Sequence, residues 1–279
     1  MRIARRAYAK INWALDVLGQ RDDGYHELDM LLETITLFDE LVFESDSVLS
    51  LIVNGRPAPA GTKNLVIKAA DKLMEITGRK RGARIHLTKR IPIRAGLGGG
   101  SSDCAAALLA LNQLWRLEIP MRQLMEIGAQ LGADVPFCMG TGLARVRGFG
   151  ERLLRMQARR RIPLVLLHPG GGLGTPVVFR AWDEGGFTPL GIDMNGVQQA
   201  LMQGDLHAVK TLSDNALEGP AIRLAPEIWE AREQLLAAGA VYAQMSGSGT
   251  AVFGAFPDIG LAREACRSLG RRAILAQTC

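Results

Sequence analysis

The run Gly96-Leu97-Gly98-Gly99-Gly100-Ser101-Ser102 is the part of the chain whose residue types most directly dictate a chemistry. A polyphosphate is held by backbone N–H groups that converge on its oxygen atoms, and glycine allows both the dihedral angles and the close approach. Ser101 and Ser102 stand where an Ala- and Leu-rich helix begins. There a hydroxyl can cap the helix or meet a phosphate, while the positive end of the helix dipole faces the anion. The Walker loop requires Gly-Lys-Ser or Gly-Lys-Thr, and no lysine follows Lys89 before the helix; the dinucleotide fingerprint requires glycine where Ser101 stands. A flexible linker or ordinary tight turn is the plain alternative, but four glycines and two serines feeding a helix make a poor linker. Pro92 to Ser102, with Ile93, Arg94, Ala95 and Leu97 between, therefore reads as an ATP-phosphate loop.

Phosphoryl transfer to an alcohol also needs a group that takes the hydroxyl proton and positive charge near the transferred oxygens. Asp134, between Gly132-Ala133 and Val135-Pro136, is a candidate base, although an aspartate there is equally a loop or capping residue. Lys10 lies between Ala9 and Ile11 on a predicted strand, so it faces away from both; an exposed strand lysine fits the same pattern. Gly24 marks a turn that presents Tyr25 and His26, which make either a binding loop or a packed corner.

These residues need elements to place them. Strands are expected at Ile11 to Leu18, Leu31 to Phe38, Leu41 to Glu44 and Val48 to Val53, forming an early antiparallel sheet. Helical spacing runs from Leu65 to Thr77, with Gly78 as its stop. In the strand Ala83 to Lys89, Ile85 and Leu87 share one face and His86 takes the other, as a solvated residue. Helices Ser102 to Trp115 and Met121 to Leu131 follow, then a strand at Leu143 to Arg147. The charged segment Gly150 to Arg161 marks a boundary, giving domains 1–155 and 156–279. The second half reads as strands at Leu164 to His168, Val241 to Met245, Ala251 to Phe256 and Arg272 to Ala276. Its helices lie near Pro176 to Trp182, Met194 to Met202, Leu206 to Leu212, Glu227 to Ala238 and Ile259 to Leu269. The fold class is α+β.

Composition narrows the partners. A chain of 279 residues that is 48% hydrophobic can bury a large core, and no apolar run reaches the roughly 20 residues a membrane helix needs. With no signal-peptide pattern in the basic start from Arg2 to Lys10, a cytoplasmic protein without a membrane partner is expected. The net charge of +5 is spread over short clusters, Arg79-Lys80-Arg81, Arg159-Arg160-Arg161 and Arg271-Arg272, and only 5% of residues are aromatic. That leaves little for base-stacking platforms, so nucleic acid is not the expected partner. Cys104, Cys138, Cys266 and Cys279 are scattered without ligand spacing. Magnesium is expected with ATP, held mostly by phosphate and water, with Ser101 or Ser102 able to add an oxygen.

Three segments together resemble the GHMP kinases, the galactokinase, homoserine, mevalonate and phosphomevalonate kinase superfamily. Ala9-Lys10-Ile11-Asn12 is similar to the first family motif, Lys89 to Ser102 to the second, and Met245 to Gly254 to the third. Asp23-Gly24-Tyr25-His26-Glu27, Leu131 to Phe137, Asn64-Leu65, Thr175-Pro176 and Asn215-Ala216-Leu217-Glu218 resemble the branch acting on 4-diphosphocytidyl-2-C-methyl-D-erythritol. The resemblance implies ATP-dependent phosphorylation of the 2-hydroxyl of that substrate. It further implies an S5-like N-terminal domain, a ferredoxin-like C-terminal domain and an active site in the cleft between them. It assigns Lys10 and Asp134 to catalysis, His26 to the cytosine edge, Tyr25 and Phe179 to its faces, and Asn12 to the same substrate site. The third motif, Ser246 to Gly249, is expected as a glycine turn packing under the first loop. Trp13, Arg94, Cys104 and Asp22 depart from the usual pattern, Trp13 as a possible pocket wall. Rival readings are a homoserine- or mevalonate-type kinase, which would not need Tyr25 and His26, and a basic nucleic-acid-binding protein of related fold.

Overall fold

The computed structural model describes residues 1–148, 150, 152–156 and 160–279, so Phe149, Glu151 and 157–159 lie outside the described residues. Arg159 of the basic triplet and part of the 150–161 boundary segment fall there. The chain divides by packing into two compact units that are discontinuous in sequence. One comprises Met1–Ala9, Leu37–Ile93 and Gly98–Thr141; the other comprises Lys10–Thr36, Arg94–Leu97 and Gly142–Cys279. The discontinuity arises because two long paired strands, β1 (Arg2–Gln20) and β2 (His26–Asp46), contribute residues to both.

In the first unit, β3 (Leu49–Gly55), α1 (Leu65–Thr77) and β4 (Gly82–Lys89) form a crossover. β4 runs antiparallel to the later half of β2, from Glu40↔Thr88 to Asp46↔Gly82. β3 and β4 pair in parallel, from Leu49↔Ala83 to Gly55↔Lys89, so this part of the sheet is mixed where an antiparallel one was expected. The reason is the intervening helix, since parallel neighbours need a crossover of this kind. α1 starts where the Asn64 side chain accepts from the Val66 N–H at 2.9 Å and stops at Gly78, which is left-handed at φ 63°. α2 (Gly99–Leu114), α3 (Met121–Leu131) and the short α4 (Val135–Cys138) complete the unit. Phe43, Leu73, Ile85, Leu87, Leu108 and Leu111 are buried in its core, with Cys104 among them. Burial, with the nearby Asp103 charge, pushes the Cys104 thiol up to about 12, so it behaves as a small apolar residue.

In the second unit, the earlier part of β2 pairs antiparallel with β5 (Leu143–Gly148), and β5 pairs with β6 (Arg152–Met156). β6 falls in the segment read as a charged boundary. Its residues are mostly exposed, Leu154 at 65%, so no apolar alternation announces it. A four-stranded antiparallel sheet follows in the order β10-β7-β9-β8, made of β7 (Pro163–Leu167), β8 (Tyr242–Met245), β9 (Val252–Ala255) and β10 (Ala273–Gln277). The helices are α5 (Thr175–Glu184), α6 (Met194–Gln203), α7 (Leu206–Leu212), α8 (Glu218–Leu224), α9 (Glu227–Ala237) and α10 (Ile259–Ser268). α8 was not expected, because Gly219 and Pro220 break the helical pattern at its start. Among the described residues no helix is long and apolar enough to cross a membrane.

Under the glycine loop, the first unit buries a charged cluster. Lys89, at the end of β4, donates to Asp39 at 2.5 Å and to Asp103 at 2.7 Å, and none of the three exceeds 4% exposure. Asp39 also accepts from the backbone N–H groups of Arg90 at 2.5 Å and Ile91 at 2.9 Å. Asp103 Oδ1 has no hydrogen-bond partner among the described residues. Burial would lower the Lys89 pKa, but the charges and hydrogen bonds of Asp103 and Asp39 outweigh it and raise the value. Burial, opposed by Lys89 and reinforced by Asp39, pushes Asp103 up to about 7.

Two outcomes follow from this cluster. Lys89→Met leaves two buried carboxylates without their cation and is expected to cost about 3–5 kcal/mol in denaturant unfolding. Because Asp103 binds its proton more tightly in the native state, its contribution is full below the unfolded value of 3.8 and is lost as pH rises through about 7. Between about pH 5 and about pH 8 the parent chain should therefore lose more stability than Asp103→Asn, and equal losses would contradict the assignment.

Candidate active site

α2 opens at the glycine loop without a side-chain cap. Gly98, the residue before it, is left-handed at φ 69°, and the first helical bond runs from the Ser102 N–H to the Gly98 carbonyl at 2.8 Å. The N–H groups of Gly99, Gly100 and Ser101 come before that bond, so they lie at the positive helix end with no intrahelical acceptor. The helix starts three residues before the expected Ser102, and the glycines themselves form its first turn. An added Cβ at Gly99 would stand 2.9 Å from the Ile91 side chain and 3.4 Å from Lys89 Nζ. The charged cluster thus supports this turn directly.

The two serines divide. Ser102 is buried and its hydroxyl donates to the Tyr8 carbonyl at 2.7 Å, which fixes the direction of its hydrogen. Ser101 is half-buried, and its hydroxyl lies 3.5 Å from the place a Cβ on Gly132 would take. Gly132 begins the turn that carries Asp134, where the Val135 N–H donates to the Gly132 carbonyl at 3.0 Å. Asp134 precedes α4, but its carboxylate does not cap that helix, which removes the capping alternative. Ser101 and the Asp134 turn are therefore neighbours in one unit. Of the residues before the glycines, Pro92 is buried, Ile93 and Arg94 are exposed, and Arg94 takes an unusual φ of 49°.

In the second unit, the loop start is interlocked with the turn of the third motif. Gly96 has φ 72°, and a Cβ on it would fall 1.8 Å from the Ser246 carbonyl oxygen. The Ser246 hydroxyl donates to the Gly96 carbonyl at 3.0 Å and accepts from the Asn12 N–H at 3.3 Å, while the Ala251 N–H reaches the Ala95 carbonyl at 3.1 Å. The expected packing of the third motif against the first loop is present. Lys10 is 4% exposed, not a surface lysine; its N–H meets the Leu97 carbonyl at 3.0 Å and its ammonium donates to Asn12 Oδ1 at 2.6 Å. Asn12 Nδ2 points to the Met30 sulfur at 3.6 Å.

A third group of side chains gathers on α5. Phe179, Trp182 and Asp183 share one helix face by their spacing, and all three meet His26. The His26 and Phe179 rings stack at 4.5 Å and 22°, Trp182 stands edge-on at 5.8 Å, and Asp183 Oδ1 lies 2.8 Å from His26 Nε2. Phe179 is half-buried, so it is not simply core. Tyr25 is 63% exposed on a turn braced by Arg21, which binds Asp23 at 3.0 Å and Glu27 at 3.2 Å. Trp13 does not form a pocket wall. It is fully buried, donates to Glu33 at 2.5 Å and packs against Tyr242 and Phe253; burial pushes Glu33 up to about 7. Asp183, Trp182, Asp39, Asp103 and Glu218 were not singled out for roles from sequence, since each makes its contact across a long stretch of chain.

Residues 64–142 match the family model described as GHMP kinases N terminal domain, and 197–274 match GHMP kinases C terminal. A 4-diphosphocytidyl-2-C-methyl-D-erythritol kinase of Pelotomaculum thermopropionicum is 44% identical over 95% of this chain and 92% of its own length. The chain belongs to the GHMP kinase family. A crystal structure of 4-(cytidine 5'-diphospho)-2C-methyl-D-erythritol kinase, 40% identical, matches with a TM-score of 0.84 over 99% of each chain. The L. major mevalonate kinase, solved in complex with R-mevalonate, shares the fold at 16% identity and a TM-score of 0.76, covering 99% of this chain and 95% of that one. This GHMP kinase accordingly has the α+β, two-domain architecture of the family and is an ATP-dependent phosphotransferase.

For this GHMP kinase, Gly96→Ala combines a left-handed φ with a clash against backbone and should cost about 2–5 kcal/mol. Gly186→Ala, also at positive φ but with nothing within 4 Å of the added Cβ, isolates the dihedral cost of about 1–2 kcal/mol. Denaturant unfolding of both compares them, and equal losses would argue against the Ser246 contact.

Proposed function

We propose that this GHMP kinase transfers the γ-phosphoryl group of ATP to the 2-hydroxyl of 4-diphosphocytidyl-2-C-methyl-D-erythritol in the non-mevalonate isoprenoid pathway, in the cytoplasm, giving the 2-phosphate and ADP. The observation that carries the substrate assignment is the 44% identity, across 95% of the chain, to a kinase of that name. The two functional domains are taken as 1–155 and 156–279.

ATP phosphates meet the glycine loop, where the N–H groups of Gly99, Gly100 and Ser101, which have no intrahelical acceptor, supply hydrogen bonds. Asp134 takes the proton of the attacking hydroxyl. Lys10, fixed by Asn12, supplies positive charge that favours the alkoxide and the transferring oxygens. His26 reads the edge of the cytosine, with Tyr25 and Phe179 on its faces and Asp183 orienting the imidazole through its 2.8 Å contact. Among the described residues no three His, Cys, Asp or Glu side chains gather to hold a metal. A magnesium ion carried in by the nucleotide would be held mostly by phosphate and water, with the Ser101 hydroxyl able to add an oxygen. When bound, the ion neutralises charge on the β- and γ-phosphates.

Asp134→Ala is expected to lower kcat by about 10²–10⁴ while leaving ATP affinity nearly unchanged, whereas His26→Ala should chiefly raise KM for the cytidyl substrate. A coupled ADP-release assay reads both, and near-normal turnover by Asp134→Ala would refute the base assignment. In the same assay the parent enzyme should turn over the diphosphocytidyl compound and neither mevalonate nor homoserine. The reverse preference would overturn the substrate.

A further inference from the structure

Asn215-Ala216-Leu217-Glu218 has no role in the chemistry above, yet two of its side chains are buried against the turn of the third motif. Asn215 is 2% exposed, and its amide donates to the carbonyls of Met245 and Gly247, each at 2.9 Å. Its carbonyl oxygen accepts from the Leu217 N–H at 3.0 Å, which fixes the amide orientation. Glu218 is 9% exposed, and its carboxylate accepts from the Met245 N–H at 2.7 Å, with Arg232 at 3.7 Å from its other oxygen. Burial raises the Glu218 pKa, against the Met245 hydrogen bond and the Arg232 charge. The segment is itself anchored on β1: the Leu15 N–H meets the Asp214 carbonyl at 3.0 Å, and the Ala216 N–H meets the Leu15 carbonyl at 2.8 Å.

The clamped turn touches two functional groups. Ser246, between the two held carbonyls, binds the Gly96 carbonyl, and an added Cβ at Gly247 would lie 3.1 Å from that same oxygen and 3.2 Å from Lys10 Nζ. We infer that Asn215 and Glu218 are positioning residues for phosphoryl transfer: by fixing the 245–247 backbone they set where the Gly96 end of the phosphate loop and the Lys10 ammonium stand. The inference rests on the reading that this loop and Lys10 serve ATP. The chemistry requires an amide at 215. A carboxylate there would turn one oxygen atom toward two carbonyl oxygens, replacing two attractions by two repulsions. At 218 only an acceptor is required, so glutamine, which keeps a carbonyl oxygen at the same reach, can replace glutamate.

The test uses the full chain with Glu218→Ala, Glu218→Gln, Asn215→Ala and Asn215→Asp, measuring kcat, both KM values and the melting temperature, with rates normalised to active sites. Misplacing reacting groups by a fraction of an ångström should lower kcat by about 10-fold or more in Glu218→Ala and Asn215→Ala and raise KM for ATP. KM for the cytidyl substrate should stay within about twofold, because the His26 cluster is built on other residues. Asn215→Asp should be worse than Asn215→Ala, and Glu218→Gln should recover most of the activity lost in Glu218→Ala. Lower melting temperatures with unchanged kcat and KM for ATP would assign a purely structural role and overturn the inference. So would equal damage to both KM values, or failure of Glu218→Gln to recover activity. ATP binding by Gly96→Ala separates this outcome from failure of the underlying reading. If that variant binds ATP as the parent does, the phosphate-loop assignment falls; if it does not and the Asn215 and Glu218 variants keep normal kinetics, only the positioning inference falls.

Discussion

The contact between Gly96 and Ser246 is the constraint from which most of the site follows. A Cβ at residue 96 would overlap the Ser246 carbonyl at 1.8 Å, so two backbones 150 residues apart in sequence touch with no side chain between them. That approach demands glycine at a left-handed φ, and Ser246 then bonds to the carbonyl so exposed. The same serine accepts from Asn12, and the next residue lies against the Lys10 ammonium. Strand β1, the loop start and the third-motif turn are therefore one hydrogen-bonded assembly. None of the three can move independently.

The other end of the loop is held by charge. Lys89 shares its ammonium between Asp39 and Asp103 beneath Gly99, tying the end of β4, the middle of β2 and the first turns of α2 together. Such a cluster is poor evidence for stability, since burying three ions is costly. Its value here lies in geometry: removing one partner would free a helix start that must present N–H groups at fixed positions. The first turn of α2 can stay uncapped because these contacts, not a side-chain cap, define where it begins.

Local chemistry was legible in the sequence; of the long-range assembly, only the packing of the third motif against the glycine loop was. α1 could be read to its last residue because Asn64 and Gly78 act through neighbouring backbone groups. The glycine loop could be read because its function lies in what glycine lacks. The reach of β1 and β2 could not, since their length is set by pairing with segments far along the chain, and β6 is an exposed strand without alternation. By spacing alone Lys10 fitted an exposed strand lysine as well as a site residue, and its burial against Asn12 excludes the former; Trp13, a departure from the family pattern, proved to be core bonded to Glu33. Lys89 lay inside a motif that was read for its glycines. Its two carboxylate partners sit 50 and 14 residues away, beyond any local pattern.

ATP binding by this chain depends on the first turn of α2, whose backbone N–H groups hold the phosphates in the function proposed above. The most direct measurement is NMR of the ¹⁵N-labelled protein titrated with magnesium ATP. The amide resonances of Gly99, Gly100 and Ser101 should move most and saturate with nucleotide, while that of Ser102, already bonded to the Gly98 carbonyl, should move less. Saturable ATP binding that leaves those three amides in place and shifts resonances elsewhere would contradict it.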